Sequence, residues 1–311
     1  MQNRHSECLY ATLRSRWDGG PYALIDYPLY NNPGDAAIWW GTRIVLERIA
    51  GAPPAYVSDL RSFSAPQAHR KVRGGTVFFL GGGNFGALYA KHHRRRLEAI
   101  AALHSFRVIC LPLSTAGLEI DAHLLAKTSD VLKNHGDVTL IAREEMTRSA
   151  LRSLLGIDTT MAPDAAHAIP FSQDGEGRGL LKLIRADLEG NNAINRADGT
   201  DWTEMPDLRR LNRWGKIAAA VCLGDTRLRL YDRLAKRKVM LAARRLSAAK
   251  TIETDRLHAA IFASSLGRDL IAHDNSTGKV ASYLQTWDLE NNGSRNADQP
   301  FQADLGEPQA L

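Results

Sequence analysis

The chain has 311 residues, 44% hydrophobic and 24% charged, a balance that suits a globular fold and excludes an intrinsically disordered one. Its net charge is +6, from 40 basic and 34 acidic residues, and because its basic patch carries little aromatic interleaving and no known reader motif, no nucleic-acid partner is expected. No apolar run approaches the ~18 residues of a membrane-spanning helix and no apolar signal segment opens the chain, so a cytoplasmic protein of about two domains is expected.

In chain order, 22–28 reads as a strand and 36–49 as a helix with Ile38, Thr42, Val45, Leu46 and Ile49 on one side. A short strand at 55–60 and a buried one at 76–80 follow, the latter running into Gly81-Gly82-Gly83-Asn84. Then come a helix over 88–103, a strand over 107–112, a helix over 118–132, a strand over 138–142 and a helix over 144–155 stopped by Gly156. Alternating β and α units predict a parallel sheet with helices on both faces. The Gly- and charge-rich stretch 170–179 reads as a linker, and the polar stretch 190–210 as a long loop. Further strands are expected at 216–223, 250–253 and 270–273, giving a second, smaller α/β domain. The division is therefore 1–172, 173–290, and a polar tail over 291–311.

Cys8, Cys110 and Cys222 are far apart and form no CxxC pair. The last two lie in apolar strand-like runs and read as buried free thiols. The stretch 225–250 carries nine Lys/Arg against two acidic residues, leaving the remaining chain near −1. With Leu230, Leu234 and Leu241 on one side, it reads as a long amphipathic helix. Two readings stand for its basic exterior: a solvated face, or attraction to an anionic membrane or phosphorylated carrier. Lys91-His92-His93-Arg94-Arg95-Arg96 reads as a solvated charge run. The histidines show no HExxH or paired-ligand spacing, so no catalytic metal is expected.

The most informative stretch is Thr254-Asp255-Arg256-Leu257-His258, where a strand turns into a helix that ends at Gly267. Thr254 is the expected cap, with Asp255 in the first turn. Arg256 and His258 then lie at a helix N-terminus, which favours an anion, and add a guanidinium fork and a proton carrier. A second polar loop, Asp274-Asn275-Ser276-Thr277-Gly278-Lys279, follows one strand later. Asn31-Asn32-Pro33-Gly34-Asp35 and Gly81-Gly82-Gly83-Asn84-Phe85-Gly86 both follow strands, where loops of a parallel sheet open on the ligand side. The glycines permit close approach, either to a ligand or to a packed helix. The second loop is no Walker motif, for the Lys-Ser/Thr ending is missing. Arg143 also sits at a strand end, either in a surface pair with Glu144 or Glu145 or facing the cleft. Arg185-Ala186-Asp187-Leu188-Glu189 ends the first strand of the second domain.

Taken together, these pieces resemble the polysaccharide pyruvyl transferase family. The resemblance rests on Asn32-Pro33-Gly34-Asp35, Gly81-Gly82-Gly83-Asn84, Leu111-Pro112-Leu113-Ser114 and Arg143-Glu144-Glu145. It continues through Ala162-Pro163-Asp164-Ala165-Ala166-His167, Arg185 to Glu189, Thr254 to His258, and Asp274 to Lys279 with Trp287 beyond. Departures stand at Ala87, Leu113, Glu144 and Thr115-Ala116-Gly117, where the family more often has an acid, Gln, Asp and an aromatic or His.

The resemblance implies two Rossmann-like domains in a GT-B-like arrangement. It implies transfer of pyruvate from phosphoenolpyruvate to a saccharide or lipid-linked oligosaccharide of a bacterial exopolysaccharide, as a cyclic ketal, with no cofactor. The donor carries a carboxylate and a phosphate, to which Arg143, Arg256, Asn275 and Lys279 are assigned. His258 is assigned proton transfer beside Arg256, a role worth roughly 100- to 10,000-fold. Asp35 and Asn84 are assigned to the acceptor. Two other readings remain open: a GT-B-like glycosyltransferase using a nucleotide-sugar, and a non-catalytic subunit of a polysaccharide-synthesis complex.

Overall fold

The computed structural model describes residues 2–17, 19–172, 175–190 and 199–289. The chain begins with α1 (Gln2–Arg14), β1 (Tyr22–Ile25), α2 (Pro33–Ala50), β2 (Tyr56–Ser58), α3 (Ala65–Val72), β3 (Thr76–Phe79) and β4 (Gly82–Phe85). A 3-10 turn at Ala87–Tyr89 leads into α4 (Ala90–Ala101), β5 (Arg107–Thr115), α5 (Ala122–His135), β6 (Val138–Ala142), α6 (Glu145–Leu155) and β7 (Thr160–Met161). After a 3-10 turn at Ala165–Ala168 come β8 (Leu180–Leu183), a third such turn at Trp202–Glu204, α7 (Pro206–Val221) and α8 (Gly224–Ser247). β9 (Thr251–Thr254), α9 (Leu257–Ser265), β10 (Asp269–Ala272) and α10 (Lys279–Thr286) complete it.

β1 and β3 are apolar but for Thr76 and buried along their full length, as expected of central strands covered on both faces. The large sheet runs β2-β1-β3-β5-β6-β7, all parallel, with β4 pairing the far end of β5. A second parallel sheet runs β10-β9-β8. The strand order of the large sheet reverses direction at β1 and β3, and ligands of open α/β sheets sit outside the carboxyl ends at such a point. The loops after β1 and β3 are Asp26 to Asn32 and Leu80 to Gly81, so the two motifs read from sequence flank that crevice. One apolar cluster joins Leu24, Ile38 and Trp39 of the first half to Leu183, Tyr231, Ile252 and Ile261 of the second. Within it the Tyr27 and Tyr231 rings stack at 3.8 Å. A second cluster, with Ile25, Phe79, Val108 and Leu140, fills the opposite face of the large sheet.

Several expectations need correction. Residues 216–223 are not a strand; most of them end α7, and Cys222 follows that helix, only partly buried. Pro206 sits in the helix's first turn, where its missing N–H costs nothing, and the run of Ala218 to Ala220 has the highest helix propensity. The stretch 190–210 is not all loop: 191–198 lie outside the described residues, but a 3-10 turn and the start of α7 follow. Thr254 does not cap α9. It ends β9, and Arg256 is the N-cap residue. The Thr254 hydroxyl instead accepts from Arg256 N and donates to Leu183 O. The charge run on α4 is not solvated, because His93 and Arg96 are completely buried. Cys110 lies in β5 as expected, where burial pushes its thiol up to about 12. The helices α1 and α3 were not anticipated, and the tail at 291–311 lies outside the described residues.

Candidate active site

α2 begins at the mouth of the crevice. Asn32 caps it, its Oδ1 accepting from Gly34 N at 2.9 Å, while its Nδ2 donates to Asp35 Oδ2 at 2.6 Å. The glycines of the two loops then mark what comes together. A methyl group on Gly34 would lie 2.4 Å from His258 Nδ1, so the imidazole on α9 packs directly on the first loop. A methyl on Gly83 would lie 2.7 Å from Lys279 Nζ and 3.3 Å from Arg143 Nη2. One on Gly82, held at φ +107°, would lie 3.3 Å from Asp35 Oδ1. Four residues singled out in sequence therefore meet around three glycines: Asp35, to which Asn32 donates; Arg143, directly after β6; His258; and Lys279, with Gly83 against both Lys279 and Arg143.

Behind His258 stands a buried relay. Its Nε2 lies 3.2 Å from Asp164 Oδ2, and Arg143 Nη1 donates to the same oxygen at 2.8 Å. Asp164 also accepts from Ala166 N, and its own N–H donates to the Tyr283 hydroxyl at 2.8 Å. Burial favours the neutral acid, but His258 and Arg143 win, and Asp164 is held well below the usual carboxylate range. Arg143 Nε donates to Ser114 Oγ at 2.7 Å, and Ser114 donates to Glu144 Oε2 at 2.7 Å. Thr147 donates to the other Glu144 oxygen. Arg143 is thus fully buried, not a surface partner of Glu145. Burial raises Glu144, with Arg143 only partly opposing it.

Lys279 opens α10 and belongs to a second network. Its Nζ donates to Glu189 Oε1 at 2.6 Å, an oxygen that also accepts from the Tyr89 hydroxyl at 3.0 Å. The other Glu189 oxygen takes Asn275 Nδ2 at 3.3 Å and Arg185 Nη2 at 2.9 Å. Burial lowers Lys279, reinforced by Arg143 and opposed by Glu189. Arg256 does not join the cluster at Gly83. Its Nη2 donates to Asp201 at 2.7 Å and to Asp187 at 3.2 Å, and the guanidinium sits 5.7 Å from the Trp202 ring centre. Among the described residues its ion pairs lead to Lys279 through Asp187, Arg185 and Glu189.

Asn84 faces away from Lys279 toward α4. Its Oδ1 accepts from Arg96 Nη2 at 2.7 Å and its Nδ2 lies 3.0 Å from His92 Nε2. Both partners also reach Asp26 Oδ2, at 2.6 and 3.0 Å. Asp26, directly after β1, lies in the left-handed region at φ +79°, a conformation that strains any side chain but glycine. Burial works against its charge, yet His92 and Arg96 hold it low. Asp164, Glu189, Asp26 and His92 were missed as site residues. The spacing of His92 and Arg96, one helical turn apart, was the available signal for His92; Asp164 and Glu189 stand in segments that carry the resemblance, and nothing local marks Asp26. Among the described residues no cluster of three His, Cys, Asp or Glu is arranged to hold a metal ion.

The chain shares 27% identity over 280 residues with EpsO of Bacillus subtilis (strain 168), a protein named as a pyruvyl transferase, covering 84% of each. It shares 25% over 288 residues with pyruvyl transferase 1 of Schizosaccharomyces pombe, covering 85% of this chain and 69% of that one. The crystal structure of an uncharacterised protein from Klebsiella pneumoniae matches the fold with a TM-score of 0.63 at 20% identity, over 93% of this chain and 96% of that one. The sequence profile of the polysaccharide pyruvyl transferases matches residues 32–276, from the residue that caps α2 to the loop before Lys279, and with both arms of the crevice inside that match the chain belongs to the polysaccharide pyruvyl transferase family.

Proposed function

We propose that this protein transfers pyruvate from phosphoenolpyruvate to two hydroxyls of one saccharide, forming a cyclic ketal. In this reading the halves 1–172 and 173–290 form a GT-B-like pair, the first holding the acceptor and the second much of the donor. The observation that carries it is the meeting of Arg143 and Lys279 at Gly83, beside a histidine backed by a buried carboxylate. Two cations against bare backbone suit a small dianion, and both are already fixed by Asp164 and Glu189, so little ordering is needed on binding. Arg256 completes the donor side indirectly, by holding Asp187 against Arg185. Asp35, whose Oδ1 would lie 3.3 Å from a methyl on Gly82, is assigned to accept from an acceptor hydroxyl.

The reaction needs an acid at the methylene carbon. The His258 imidazolium gives its proton to C3, and C2 becomes electrophilic. The first acceptor hydroxyl bonds to C2, and its proton returns to His258. The bond from C2 to the phosphate oxygen breaks, and the second hydroxyl of the same sugar closes the ring, its proton leaving with phosphate. Asp164 keeps the imidazole oriented and stabilises its charged form, while Arg143, sharing the same oxygen, prevents full proton capture by the carboxylate.

The test is incubation of the purified chain with phosphoenolpyruvate and a panel of hexopyranosides carrying free vicinal or 4,6-diols. Acceptor-dependent phosphate release with a ketal methyl signal by NMR is expected. Nucleotide release from a nucleotide-sugar, with none of phosphate from phosphoenolpyruvate, would replace this reading by the glycosyltransferase one.

A further inference from the structure

The hairpin of α7 and α8 carries an apolar surface that the proposed chemistry does not use. α7 packs on α8 through Leu208, Gly215 and Ala219; a methyl on Gly215 would lie 2.8 Å from Leu234 Cδ1. With about 3.6 residues per turn, Trp214, Ile217 and Val221 fall on the opposite side of the same helix. They are open: Trp214 is 69% exposed, Ile217 57%, Val221 77%, and Leu223 at the hairpin tip 67%. Four large apolar side chains gathered at one tip are not the scattered exposure of an ordinary surface.

Charge says what covers them. α7 carries Arg209, Arg210, Arg213 and Lys216, all exposed, against Asp207 alone. Beside it the exposed side of α8 adds Arg229, Arg233, Lys236 and Arg237. A tryptophan-bearing apolar stripe bordered by arginine and lysine is the pattern of a helix lying in the headgroup region of an anionic bilayer. We infer that the α7–α8 hairpin docks this protein on an anionic membrane surface, with the side chains from Trp214 to Leu223 inserted and the basic residues on the headgroups.

The hairpin is also fastened to the crevice. Lys238 on α8, fully buried, donates to Tyr30 O at 2.8 Å and to Asn212 Oδ1 on α7 at 3.2 Å. Tyr30 stands in the loop that leads to Asn32 and Asp35. A membrane-seated hairpin therefore holds the acceptor-side loop at a set distance from the lipid surface. This inference goes beyond the proposed reaction and does not depend on it, since lipid binding is read without turnover.

The experiment is sedimentation of the full chain with phosphatidylcholine vesicles, and with vesicles containing about one-third phosphatidylglycerol. Binding to the anionic vesicles only, weakening with salt, is expected. Trp214→Ser with Ile217→Ser should lower it about tenfold or more, and Arg210→Glu with Arg213→Glu should lower it comparably. All four positions are exposed, and an unchanged circular dichroism spectrum checks each variant's fold. No binding to either vesicle, or binding that neither pair of substitutions alters, would overturn the inference. So would a dimer by sedimentation velocity that the apolar pair converts to monomer, because the face would then be a contact between copies.

Discussion

Gly34 faces His258 and Gly83 faces Lys279 and Arg143, so a single methyl at each separates the two halves of the proposed reaction. Gly34→Ala must displace the rigid His258 ring, since three of its atoms would lie within 2.7 Å of the new methyl. A misplacement of that size costs on the order of 100-fold in turnover, so kcat should fall by about that much while the phosphoenolpyruvate KM moves little. Gly83→Ala presses instead on the tip of the flexible Lys279 and on Arg143. Its expected effect is a several-fold rise in donor KM with kcat nearly kept, and steady-state kinetics on both variants decide. His258→Gln retains a hydrogen bond to Asp164 but cannot transfer a proton, and should lower kcat by roughly 100-fold or more with donor affinity within a few fold. Near-normal turnover would remove His258 from the reaction.

At the level of elements, the α8 lysine supplies a test by pH. Burial lowers Lys238 to about 8, although Asp35 pulls the other way. An unfolded lysine keeps its proton to about 10.4. Between those values the unfolded chain binds more protons, so this group makes stability rise with pH from about 8 upward. Urea denaturation at a series of pH values should show that rise, up to about 3 kcal/mol, in the wild type and its loss in Lys238→Met. The same helix shows how far sequence carries. Its length and basic character were legible from periodicity, but not that Lys238, one of its eight basic residues, is buried against a loop near position 30. The large sheet was legible because its strands are apolar runs between glycine-rich or capped boundaries. α7 was misread because Ile217 to Leu223 is apolar without facing a core, and a seven-residue apolar run does not distinguish strand from helix. The site was legible where it depends on motifs at strand ends. The pairings of Asp26 with His92 and of Glu189 with Lys279 were not, since they span 66 and 90 positions and leave no local trace.

For the whole molecule, Glu189 is the joint. It takes Tyr89 from the first half and Lys279, Asn275 and Arg185 from the second. Glu189→Gln leaves Lys279 charged, buried and unpaired, and should cost about 3 kcal/mol in unfolding free energy. Tyr89→Phe removes one neutral donor and should cost about 1 kcal/mol. Chemical denaturation of the two variants checks the order; equal losses would show that the joint is apolar and not ionic. The apolar cluster shared by both sheets has a consequence for how such a protein can diverge. Trp39 on α2 and Tyr231 on α8 lie in one interior, so neither half has a finished surface to present when the other is removed. Expression of either half alone should give insoluble chains, and heat should melt the pair in a single calorimetric transition. Exchange of whole halves between relatives would leave two mismatched interiors, so substitution within the crevice loops, not exchange of gene segments, is the route to change that keeps this interior whole.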